Sequence, residues 1–191
     1  LYEYTEGRGS IYPKKFLENW SGGYLHCDGY SGYKKLEKVM LCGCLVHAKR
    51  KFHEASVASP DNETAKIGKD YILKLFAIED FADKEQMSLE ERLSLRQNKS
   101  QAIFDEFYNW IDSVKAKTLP QSLVGKTISY AINQKEFLGS FLQDARIQLS
   151  NNLAEQSVKP FVRGRKNWLF SNTVRGANSS TIIYSIIQTA I

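Results

Sequence analysis

A chain of 191 residues with 42% hydrophobic side chains and a net charge of +5 holds enough apolar material for one core, or for one core carrying a large insertion. No apolar run approaches the roughly 20 residues that cross a bilayer, and an opening stretch with Glu3, Glu6, Arg8 and Lys14 does not read as a signal peptide, so a cytosolic protein with no membrane partner is expected. Three cysteines, Cys27, Cys42 and Cys44, are an odd number for a secreted disulfide framework and are expected as thiols. Because it opens on Leu1 rather than Met, the chain is expected to be a fragment.

In chain order, Tyr24 to Cys27 form a β-prone run, followed by Asp28-Gly29 and then Tyr30, Tyr33, Leu36 and Met40 near helical spacing. A second strand run, Met40 to Val46, precedes a helical pattern from about His47. Strand, helix, strand, helix predicts an α/β domain with parallel pairing. From about Pro60 to Leu142 the chain turns charged and helical. Ile67, Tyr71, Ile72, Leu75 and Phe76 line one predicted face, and Ser88 with Glu91 makes a capping box. Ile103, Phe107, Trp110, Ile111 and Val114 follow as an apolar stripe, Leu119-Pro120 interrupts, and Leu123, Ile128 and Ala131 suggest a further buried face. After Asp144 a helix capped by Ser150 or Asn151 places Glu155 about one turn in, and Pro160 predicts a kink or restart. The segment from Ser179 to Ile191 is apolar on most sides and predicts a buried helix. These shifts divide the chain into 1–59, a helical insertion over 60–143, and 144–191.

The charge is uneven. Residues 156–191 hold five basic residues and no acidic one, while residues 1–155 balance 21 against 21. Such asymmetry fits either a solvated basic face or an anionic partner, with nucleic acid ahead of a membrane surface. Lys159, Arg163, Arg165, Lys166 and Arg175 are the candidate phosphate contacts, interleaved with Asn167 and Trp168; the indole suits base stacking or a core anchor.

Two carboxylates are candidates for chemistry. Asp28-Gly29 is a hairpin signal in isolation. The spacing by three that follows favours instead a carboxylate at the end of a strand entering a helix, where open α/β sheets bind ligands. Glu155 suits the first turn of a helix for electrostatic reasons alone. Together with Asp28 it would offer the hard oxygen donors that Mg²⁺ or Mn²⁺ needs. Cys44 and His47 have C-x-x-H spacing with no second ligand pair, so a closed zinc site is not expected; His47, Arg50 and Lys51 read as a basic helix face able to touch DNA.

The stretches "GYLHCDGYSGY", "CLVHAKRKFHEA" and "DARIQLSNNLAEQSVKPFVRGRKNWLFSN" resemble the transposases of the insertion sequence 66 family. The resemblance implies an RNase H-like core in which an Asp, Asp, Glu triad holds two divalent ions, cleaves DNA and joins transposon ends to target. Asp28 is similar in position to the second aspartate and Glu155 to the glutamate, with residues 60–143 an insertion between them. The first aspartate is then expected upstream of Leu1, leaving this stretch inactive alone and its sheet short of a strand. The family also implies DNA as partner, a homo-oligomer when active, accessory proteins, and a bacterial, nucleoid-associated setting. The alternative is a non-catalytic nucleic-acid-binding remnant of a decayed transposase.

Overall fold

Tyr24 to Cys27 are β-branched-poor but aromatic and apolar, and the run is closed by the turn-forming Asp28-Gly29. The computed structural model, which describes residues 2–168 and 171–190 but not the side chains of 165–168, makes it strand β1, Gly23–Cys27. It pairs in parallel with β2, Val39–Gly43, in the register Gly23 to Val39 and Cys27 to Gly43. Parallel pairing excludes a hairpin at Asp28-Gly29. The helix expected over Tyr30 to Met40 is instead a single 3₁₀ turn, Ser31–Lys35, because Gly29 and Gly32 bracket its start and Val39 onward is claimed by the sheet. Helix α2, Leu45–Ala58, leaves β2 directly, two residues before the expected start, and the Leu45 amide donates to the Leu149 carbonyl at 2.9 Å.

Contacts within the chain define two units. One comprises Gly22–Tyr30 and Lys38–Asn151; the other comprises Leu1–Ser21, Ser31–Glu37 and Asn152–Ile191. The first, the sheet unit, places both strands and every helix from α2 to the Asn151 boundary around one core: α3 (Glu63–Lys84), α4 (Leu89–Leu95), α5 (Gln101–Lys115), α6 (Leu123–Asn133) and the short α7 (Lys135–Leu138). Phe52 on α2 sits at its centre, edge-on to Phe107 at 5.9 Å and 6.4 Å from Trp110.

The capping box forms as read: Ser88 Oγ accepts from the Glu91 amide, and Glu91 accepts from the Ser88 amide at 2.8 Å. Between α4 and α5 the helix widens into a π turn, Arg96–Ser100, which buries Arg96 completely. Two expected faces are corrected. On α3 the buried stripe is Ala65, Gly68, Ile72, Leu75, Glu79 and Ala82, while Ile67 is exposed; the smaller residues turn inward because α2 approaches closely there. Leu123 is exposed too, since as the first residue of α6 it precedes the buried face.

The other unit holds α1 (Ile11–Phe16), α8 (Asn152–Trp168) and α9 (Val174–Ala190). Tyr2 joins α8 to α9: its ring stacks on Phe161 at 5.8 Å and meets Tyr184 edge-on, its amide donates to Ser185 Oγ at 2.8 Å, and its hydroxyl donates to the Ser157 carbonyl. Here α8 runs through Pro160 without restarting, contrary to one reading of that proline. The missing amide costs one intrahelical bond, which the flanking turns of a helix this long tolerate. The C-terminal helix is also not buried as expected. Ile182, Ile183, Ile186 and Ile187 are exposed, and Ala177 and Thr181 are its buried residues, because composition measures apolarity and not what covers it.

The chain is thus mixed α/β, mostly helical, around two parallel strands, fewer strands than an RNase H-like core requires among the described residues. No helix among those residues is long and apolar enough to cross a membrane.

Candidate active site at the end of the parallel strands

Asp28 immediately follows β1, exposed at the carboxyl end of the parallel pair. Its Oδ1 accepts from the Tyr30 amide at 3.1 Å, an Asx-type turn that fixes the carboxylate's orientation. Gly29 has φ +86°, a left-handed conformation that favours glycine, and a Cβ there would lie 3.2 Å from the Gln134 carboxamide. Gln134 is buried just past the end of α6. One turn earlier, Tyr130 is half-buried under the Lys51 ammonium, 4.8 Å from the ring centroid. Its phenol is pushed up to about 12, first by burial and then by repulsion from Cys44, Asp28 and Cys27 when these are ionised at the alkaline pH where it titrates, with Arg50 opposing. Sequence reasoning missed Tyr130 and Gln134: they lie far from Asp28 in the chain, and nothing but their spacing by four marks them as sharing a face.

Of the strand residues nearest Asp28, Cys27, Cys42 and Gly43 are buried. All three cysteines are buried and none is in a disulfide, and burial pushes the Cys42 thiol up. His26, opposite Cys42, has both ring nitrogens shielded; the Gln148 backbone approaches without a hydrogen bond of normal geometry, and burial lowers the imidazole's affinity for a proton. Cys44 caps the start of α2 from an extended conformation, with His47 half-buried one turn in. Arg50 is exposed and 3.9 Å from Glu54.

Glu155 belongs to the other unit, exposed in the first turn of α8. Asn151 does not cap that helix through its side chain, since its Oδ1 is buried without a partner. Lys159 and Arg163 are exposed one turn apart on α8, and Arg175 is exposed at the start of α9. The side chains of Arg165, Lys166, Asn167 and Trp168 lie outside the described residues. Exposed carboxylates such as Asp28 and Glu155 suit a hard divalent ion in donor chemistry. Among the described residues, no three His, Cys, Asp or Glu side chains gather into a group able to hold one.

A carboxylate at the carboxyl end of two parallel strands, among packed helices, defines a mixed α/β domain. The profile described as "Transposase IS66 family" matches residues 1–179, and the chain belongs to that family. It is 30% identical over 205 residues to the uncharacterized protein y4hP of Sinorhizobium fredii (strain NBRC 101917 / NGR234), covering 99% of this chain and 37% of that protein. The uncharacterized proteins y4qI and y4jD of the same strain are 29% and 27% identical, with 98% and 99% of this chain matching 36% and 38% of theirs. The chain therefore spans little more than a third of the length of these relatives. No solved structure matches it.

Proposed function

We propose that the full-length protein is a DDE transposase that cleaves DNA and joins transposon ends to target DNA, with Asp28 as the second carboxylate of its triad and Glu155 as the third. The first carboxylate is assigned to the segment upstream of this chain, and residues 60–143 to an insertion within an RNase H-like core. The observation that carries the reading is the exposed, oriented carboxylate of Asp28 at the carboxyl end of a parallel strand, in a chain of this family. Asp28 and Glu155 would hold Mg²⁺ or Mn²⁺; when bound, such ions activate the attacking hydroxyl and stabilise the leaving oxygen in phosphoryl transfer. Lys159, Arg163 and Arg175, with Arg165 and Lys166, would hold phosphates, and His47 and Arg50 would flank the strand being cut. Asn167 and Trp168 would contact the transposon end.

The test is DNA cleavage by the full-length protein in Mg²⁺. Asp28→Ala and Glu155→Ala are each expected to abolish cleavage while leaving DNA binding intact. Cleavage by either variant refutes the assignment. A parent that binds DNA and never cuts it is instead the decayed, binding-only protein.

A further inference from the structure

Helix α9 is uncharged from Gly176 onward, a composition that belongs inside a fold rather than on its surface. Its inward side holds Ala177 and Thr181, which are buried. Its outward side carries Ile182 and Ile186 in one row and Ile183 and Ile187 in the next, at exposures of 44–64%. Four branched apolar side chains in adjacent rows make a patch rather than scattered exposure, and such patches mark a surface that something else covers. At the edge of the rows lies Ser185, whose hydroxyl donates to the Thr181 carbonyl at 2.7 Å and accepts from the Tyr2 amide at 2.8 Å. The Tyr2 ring is held at the same place, against Phe161 of α8 and Tyr184 of α9. Beside this anchor an open depression of about 370 Å³ is lined by Ser185, Ile186, Thr189 and Ala190.

We propose that the isoleucine rows of α9 and this depression seat an apolar segment of the full-length protein that immediately precedes Leu1. Tyr2 is bonded through its main chain to the edge of the rows, so polypeptide leading into it reaches α9 there. The Sinorhizobium relatives carry more than half of their length outside the part that matches this chain, so proteins of this kind have polypeptide to place on such a face. Tethered beside the rows, the segment meets them at an effective concentration on the order of millimolar, far above that of a second copy in solution. A segment following α9 would instead have to turn back along its own helix. None of this depends on the role of Asp28, so the inference stands apart from the proposed cleavage chemistry.

The experiment places the photoreactive residue p-benzoylphenylalanine in the full-length protein, in place of Ile186 at the depression or of Ile183 on the neighbouring row. Circular dichroism first checks that each variant is folded. Each is then irradiated, and the cross-linked peptides are identified by mass spectrometry. Two positions on different rows keep the test decisive where one substitution disturbs folding. The expected result is a cross-link within one chain, from the photoreactive residue to a peptide upstream of Leu1. A cross-link joining two chains, read as a doubled mass on a denaturing gel, overturns the inference and assigns the face to a second copy. A cross-link to any other part of the same chain overturns it in favour of that part, and a folded variant that gives no cross-link overturns it by leaving the face uncovered.

Discussion

Arg96 is the largest side chain with no solvent exposure in the sheet unit, and it is charged. Its Nε and Nη2 donate to both oxygens of Glu79 at 2.7 Å, and Nη1 donates to the carbonyls of Phe141 and Asp144 at 2.8 and 3.0 Å. Arg92 adds a bond to Glu79 at 2.9 Å, so the carboxylate is shared between two guanidinium groups. Four donor bonds in fixed fork geometry offset the cost of burying the charge, and they tie the π turn to the segment that returns toward Leu149. Removing one partner strands the other. Arg96→Met is expected to destabilise the fold by about 3–5 kcal/mol in urea unfolding, whereas the Glu79→Met, Arg96→Met pair should recover much of the loss. A single variant as stable as the parent would show that the pair contributes nothing. No reading of the sequence singled out Arg96, because a helix with an arginine facing inward looks like one with an arginine facing solvent until its partner is known.

At the scale of elements, the strands and the capping box were legible because each is encoded within a few adjacent residues. Ser88 and Glu91 satisfy each other's backbone amides, and the apolar run at Tyr24 to Cys27 closes at Asp28-Gly29. The faces of the helices were legible only in part. On α3, large apolar residues mark a stripe through Ile67, yet the buried one runs through Gly68, against which the Phe52 ring lies. Alanine at position 68 sets two effects against each other. Helix propensity gains about 0.8–1.0 kcal/mol. The new methyl overlaps a ring locked between Phe107 and Trp110, and overpacking of this kind costs about 1–3 kcal/mol. Packing should win, so Gly68→Ala is expected to lower the denaturant midpoint; a raised midpoint would mean that α2 and α3 part easily. The four exposed isoleucines of α9 carry the same lesson in reverse, since an apolar helix is buried only where something packs on it.

At the scale of the whole molecule, charge placement makes the quantitative demand. The five cations of residues 156–191, acting on phosphates without an acidic neighbour in that segment, predict DNA binding whose logarithmic salt slope is about −4 to −5, a loss of some 10²–10³-fold between about 50 and 200 mM salt. Replacing Lys159 and Arg163 by Gln should flatten that slope by about 2 and weaken all sequences alike. Affinity that ignores salt would contradict an electrostatic role for α8.

By itself the sequence determined what is written locally or in long motifs: the parallel strand pair, Asp28 at a strand end, the cap at Ser88, the uneven charge, and the transposase family, to which the profile match over residues 1–179 assigns the chain. Tertiary structure alone decided which groups surround Asp28, that an arginine fills the core, and which apolar faces stay uncovered. Burial, close approach and charge pairing depend on distances between residues far apart in the chain, and those distances exist only once the helices have packed.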